Sequence, residues 1–138
     1  MTANNIRLPL FLAAVAIGAI ALWNMRQPNP QLERINHALS LRADTRLLNY
    51  PYPFRVVRLN GTVAVMATPA IAPSAAVVTA ITPSLRGKPA TDPAVVNAEK
   101  TLTRMQQEAR RIVLSQPQVT AVQWMADPAW LHRHGATG

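Results

Sequence analysis

The sequence predicts an α+β protein: a single N-terminal transmembrane helix followed by a small ββααβ domain, a three-stranded sheet with helices on one face. Three observations carry that expectation. A charge-free apolar run lies between Arg7 and Arg26, Asn60-Gly61 is flanked by alternating β-branched residues, and a long amphipathic pattern opens at Asp92-Pro93. At 138 residues the chain has room for one small domain and an N-terminal appendage.

Leu8 to Met25 is eighteen residues without a charge. As a helix the run would rise ~27 Å against a hydrocarbon core of ~30 Å. Arg7 and Arg26 bracket it and can snorkel to the headgroups, Trp23 suits the interface, and Pro9 sits in the first turn where its missing N–H costs little. Ala14 and Gly18 form a small-xxx-small pair that would let a second helix approach, although Ala and Gly are so common here that such a pair arises from composition alone. A cleaved signal peptide is the competing reading, because Ala14-Val15-Ala16 and Ala19-Ile20-Ala21 are A-x-A patterns. The apolar run is long for that role, and no polar stretch separates it from either cleavage point. Residues 1–26 are therefore expected to be a retained single-pass anchor in a bacterial inner membrane. The count of flanking arginines favours a cytoplasmic domain, whereas a short N-terminal tail before one span favours a periplasmic one; the balance tips to the periplasm.

Residues 27–53 are expected to be a Pro-bounded connector. The prolines of Gln27 to Gln31 break any continuing helix, and Tyr50 to Pro53 is stiff and non-helical. Between them, Leu32, Ile35 and Leu39 share one helical face, with Arg34, His37, Arg42 and Arg46 on the others. Two readings stay open: a basic amphipathic helix at the membrane surface, or a helix that packs its apolar face on the domain.

The domain is expected over residues 54–138. Asn60-Gly61 signals a hairpin. With those two residues as the turn, Val56 would face Val65, Phe54 would face Ala67, and Phe54, Val56, Val63 and Val65 would share a buried face. Ser74 to Ile81 reads as a short apolar helix, and Ser84 to Thr91 as an exposed loop carrying Arg86 and Lys88. Asp92 is a good N-cap and Pro93 suits the first helical position. Val95, Ala98, Leu102, Met105, Ala109 and Ile112 then fall on one face, with Lys100, Arg104, Gln107 and Arg111 on the polar one. Burying Val95, Leu102, Met105 and Ile112 is worth roughly 6–12 kcal/mol before chain entropy is subtracted. Pro117 to Ala126 reads as a third strand, and Asp127-Pro128 opens a short helix that stops at Gly135. In arrangement alone this order resembles the small modules of bacterial envelope proteins such as BON, ring-building and POTRA-like domains, which implies a place in the cell envelope.

The chemistry-bearing residues do not assemble into a reaction. The absence of cysteine removes disulfides, thiolate metal sites and thiol nucleophiles. His132 and His134 would point apart on a helix, with Asp127 the only carboxylate nearby. Glu99 and Glu108 are too far apart along one helix to act as an acid/base pair, the serines lie in no nucleophile elbow, and the glycines form no phosphate-cradling loop. No cofactor, no metal and no small-molecule substrate is expected. Fourteen Lys and Arg against six Asp and Glu give a net charge of +8, which favours an anionic partner. Arg86, Lys88, Arg110 and Arg111 are the candidate contact charges, and Trp124 and Trp130 the candidate anchors if exposed. The expected function is that of a non-enzymatic, membrane-anchored accessory or assembly subunit, with membrane lipid and a larger envelope complex as partners. The alternative is a periplasmic or secreted module that binds an anionic surface after signal cleavage. Nucleic-acid binding is a third class, supported by Tyr50, Tyr52 and Phe54 beside Arg55 and Arg58, but an anchor argues against it.

Overall fold

A computed structural model describes residues 29–135, and the expected anchor, with Arg7, Ala14, Gly18, Trp23 and Arg26, lies outside the described residues. The elements are α1 (Pro30–Arg42), α2 (Thr45–Leu48), β1 (Arg55–Asn60), β2 (Val63–Thr68), α3 (Ala75–Ile81), a 3-10 turn at Pro83–Leu85, α4 (Pro93–Leu114), β3 (Ala121–Ala126) and α5 (Pro128–Arg133). Among the described residues no helix is long and apolar enough to cross a membrane. The domain is α+β, with a mixed sheet in the order β1-β2-β3.

The hairpin forms where expected but in a different register. Asn60 pairs with Val63, so the two turn residues are Gly61 and Thr62, not Asn60 and Gly61. Gly61 has φ +60°, and no described non-glycine residue has a positive φ. A type I′ turn centred on Asn60-Gly61 would need positive φ at both, whereas a type II′ turn needs it only at the first central residue, here Gly61. A bulge between Val56 and Arg58 then breaks the alternation, so that Val56 faces Met66 instead of Val65, and Arg55 faces Ala67. Val63 and Val65 consequently share the opposite face from Val56, with Val65 flanked in register by Arg58 and Gln123 and Val63 by Asn60 and Ala121.

β3 runs parallel to β2 with six consecutive partners from Val63↔Ala121 to Thr68↔Ala126. A parallel neighbour needs a crossover, and α3, the 3-10 turn and α4 supply it. Ser74 caps α3 through the Val77 N–H, and Asp92 caps α4 through the Ala94 N–H with Pro93 in the first turn. On α4, Val95, Leu102, Met105, Ala109 and Ile112 are buried as expected, Ala98 is half-buried, and Val113 and Gln106 are buried as well. Gln106 is satisfied: its amide donates to Thr68 Oγ1 (2.8 Å) and to the Ala70 carbonyl (2.9 Å), joining the helix to the end of β2. The third strand begins later than the sequence suggested, because Gln116 to Val119 closes a turn first.

The segment read from sequence as a connector supplies core. The helix α1 ends at Arg42, and after Ala43 the Asp44 carboxylate accepts from the Leu47 N–H and starts α2. Ile35, Leu39, Leu47 and Tyr52 are buried in the same apolar cluster as the sheet and α4, so α1 presents its apolar face to the domain. Asn36, next to Ile35, accepts the Val56 N–H (2.8 Å) and donates to the Val56 carbonyl (2.9 Å). Its amide thus imitates a neighbouring strand on the outer edge of β1, where the bulge has already interrupted the ladder.

Asn36→Ala should remove both bonds and leave the Val56 backbone groups half-shielded without partners, a loss of about 1–3 kcal/mol in chemical denaturation. An unchanged midpoint would show that water replaces the amide at no cost.

Candidate interaction surface

All five aromatic residues among the described residues gather at one end of the sheet. Tyr50 stacks on Phe54 (5.8 Å between centroids), and Tyr52 meets both Phe54 and Trp130 edge to face at 5.2 Å. Trp124 meets Phe54 at 6.2 Å, and the His134 ring stacks on Trp130 at 3.9 Å. Asp127 ties this group together. Its carboxylate accepts the Trp130 N–H as the N-cap of α5 and accepts the Tyr52 hydroxyl at 3.0 Å. The Arg55 guanidinium stands 3.9 Å from the same carboxylate oxygen, half exposed, so that contact is weak. Burial lifts the Tyr50 phenol to about 12. Tyr52 is raised further, first by burial and then by its bond to Asp127 and the negative charge there.

The six expected contact residues occupy different places. Arg86 is exposed and reaches the end of α5, donating a long bond (3.4 Å) to the His134 carbonyl. Gly135 makes room for it: φ is +81°, and a Cβ would lie 3.1 Å from the guanidinium. Lys88 is 4.0 Å from Asp92 across one helical-turn spacing. Arg111 pairs with Glu108 at 2.6 Å, which draws the Glu108 carboxyl below its usual range, while Arg110 is exposed and in no ion pair among the described residues. Trp130 is 7% exposed and Trp124 is half-buried against Phe54, so both are largely taken up by the domain's own packing.

Two features escaped the sequence reading. The first is a shallow cleft of about 440 Å³ on the polar face of α4, lined by Lys100 and Arg104 with Val96, Glu99 and Gln107. Its signal was visible as the i,i+4 spacing of the two cations. The second is an apolar cleft of about 200 Å³ beside α1 and α2, lined by Leu39, Leu47, Leu48, Tyr50 and Phe54 with Arg55 at its edge. Leu48 there is 58% exposed. Nothing local marks this cleft, because it exists only once residues 30–54 fold onto the sheet.

Among the described residues no group of three or more His, Asp or Glu is placed to hold a metal ion, and no buried side-chain polar atom lacks a hydrogen bond. His134 turns Nδ1 to the Trp130 carbonyl at 2.7 Å. No protein-family model, no curated protein and no solved structure matches this chain.

The raised phenols have a consequence at high pH. In the unfolded chain tyrosine loses its proton near 10, but folded Tyr50 keeps it to about 12. Stability from this source is complete below pH 10 and is lost as pH rises towards 12, because unfolding then releases protons. Denaturant midpoints should fall across that window, and Tyr50→Phe with Tyr52→Phe should flatten the fall. Tyrosinate absorbance growing in near pH 10 while the fold persists would contradict the burial.

Proposed function

We propose that the chain is a non-enzymatic, membrane-anchored accessory or assembly subunit that docks on a larger complex through its basic α+β domain. The observation that supports this reading most is how the charges are used. Four of the six acids are engaged within the domain: Asp44, Asp92 and Asp127 cap helices, and Glu108 holds Arg111. Of the twelve Arg and Lys among the described residues, Arg55, Lys88 and Arg111 sit in ion pairs. The surplus cations, with Arg58, Lys100, Arg104 and Arg110 exposed and Arg86 exposed beside its long bond to the His134 carbonyl, are left to meet an acidic partner surface or anionic headgroups.

Such charges steer encounter and set register, and they add little affinity singly. The charge-free run from Leu8 to Met25 supplies what they lack. A tether confines the domain near its partner and turns weak docking into steady occupancy. The length of that run, with no polar stretch before either A-x-A pattern, also favours retention over the released module that binds an anionic surface.

Gentle solubilisation of native membranes, followed by affinity purification and intact mass, tests the reading. The full-length chain should appear in the membrane fraction with stoichiometric protein partners. Charge reversal at Arg86 or Arg110 should weaken co-purification about fivefold, and added salt should mimic it. A shortened chain recovered alone from the soluble fraction would favour the released module. Steeply salt-dependent retention on DNA would favour the nucleic-acid binder.

A further inference from the structure

The two edges of the sheet are treated differently. The β1 edge carries Arg55, Arg58 and a bulge, and Asn36 occupies the outward backbone groups of Val56. The β3 edge has none of these protections. Its sequence, Ala121-Val122-Gln123-Trp124-Met125-Ala126, contains no charge and no proline, and its register with β2 is regular throughout. In a chain of net charge +8, the twelve residues from Ser115 to Ala126 carry no charge at all. Lys, Pro and bulges are the usual means by which an exposed edge is kept from pairing.

The Asp127 N–H donates to the Thr68 carbonyl at 2.8 Å, which sets the alternation along β3. Gln123 and Met125 turn their backbone groups towards β2, while Val122, Trp124 and Ala126 turn theirs outward. No hydrogen bond among the described residues uses these outward groups. They are spaced evenly about Trp124, so a two-fold axis there matches the strand to itself.

We propose that β3 is a strand-addition edge and that its occupant is β3 of a second copy of this chain, antiparallel about Trp124. The pairing rests on the reading of a tethered docking module and gives that module its first partner. Trp124 then pairs with Trp124 of the partner subunit, and Val122 with the partner's Ala126, which satisfies all the outward groups. On the outer face Gln123 lies opposite the partner's Met125. Met125 is 41% exposed and Gln123 is exposed, so both side chains are available. Two copies of this basic chain that meet along this strand bring no like charges together. A single six-residue strand covers less than the ~800 Å² per partner of a stable interface, so the pairing is weak in dilute solution and fills when both copies share one membrane.

The chain has no cysteine, so introduced thiols report the register directly. Full-length Gln123→Cys and Met125→Cys are reconstituted separately and as an equimolar mixture in vesicles of zwitterionic lipid, then oxidised. The mixture should give disulfide-linked dimers, because residues directly opposite lie within bridging distance. Either variant alone should give at least fivefold less, since like residues are diagonal neighbours about 7–8 Å apart. Equal linkage in all three samples, or none, would overturn the pairing. Ala126→Pro in both partners removes one outward donor per copy and spares the β2 ladder; linkage should fall about tenfold with the thermal transition unchanged. If that variant misfolds, Gln123→Lys with Met125→Lys sets lysine opposite lysine at exposed positions, and energy transfer between labelled copies should vanish. Persistent transfer would overturn the proposal, as would a thiol linked in native membranes to a different protein. A chain that fails to stay with the vesicles refutes the anchor, and the oxidation is then read at high concentration in solution. A linked dimer with no other co-purified protein refutes docking on a larger complex and leaves the β3 pairing standing.

Discussion

Five consecutive residues of β2, Ala64 to Thr68, are shielded from water, and each brings a backbone N–H and C=O that needs a partner. A strand buried in this way has to be paired on both sides, and the rest of the domain can be derived from that requirement. One side is paired locally by β1 through the turn at Gly61. The other side needs a strand from elsewhere in the chain, and a parallel strand needs a crossover. The crossover is α4, whose apolar stripe closes the core face over Val56, Ala64 and Met66. Gln106 then anchors the helix to the last residue of the buried strand.

The flanking segments complete what β2 begins. α1 and α2 bury Ile35, Leu39 and Leu47, and Asn36 ends the sheet at β1. At the other end of the chain, Asp127 closes the aromatic group by capping α5 and accepting from Tyr52. These uses of carboxylates and amides explain the electrostatic character of the surface. The acids are drawn into caps and pairs, and the arginines are left outside. A basic surface is thus a by-product of how the fold satisfies its helix ends as well as of composition.

The elements with strong punctuation were legible in the sequence. Asp92-Pro93 and Asp127-Pro128 mark helix starts because a cap and a proline act within one turn, Ser74 marks one as a cap alone, and the six-residue apolar stripe of α4 identifies its buried face. The hairpin was legible in existence and wrong in register, because the choice between two turn types depends on which residue takes positive φ. The bulge at Val57 leaves no local mark. Asn36 was invisible for the same reason: an asparagine beside an apolar face reads as surface until the strand edge arrives. Gln106 could have been seen, since a polar residue four positions after Leu102 sits on the apolar stripe. Trp124 and Trp130 stand out in the sequence as candidate anchors, but the aromatic neighbours that absorb them come from residues 50–54, far away in sequence.

The central claim is that the sheet's edge is closed at Val56 of β1 by a side chain and open along β3. Amide hydrogen exchange of the full chain, followed residue by residue at high dilution, tests it most directly. The Val56 amide should be protected although it faces outward from an edge strand, and along β3 the Gln123 and Met125 amides should exchange far more slowly than those of Val122, Trp124 and Ala126. Rapid exchange at Val56, or uniform protection along β3 at dilution, would contradict it.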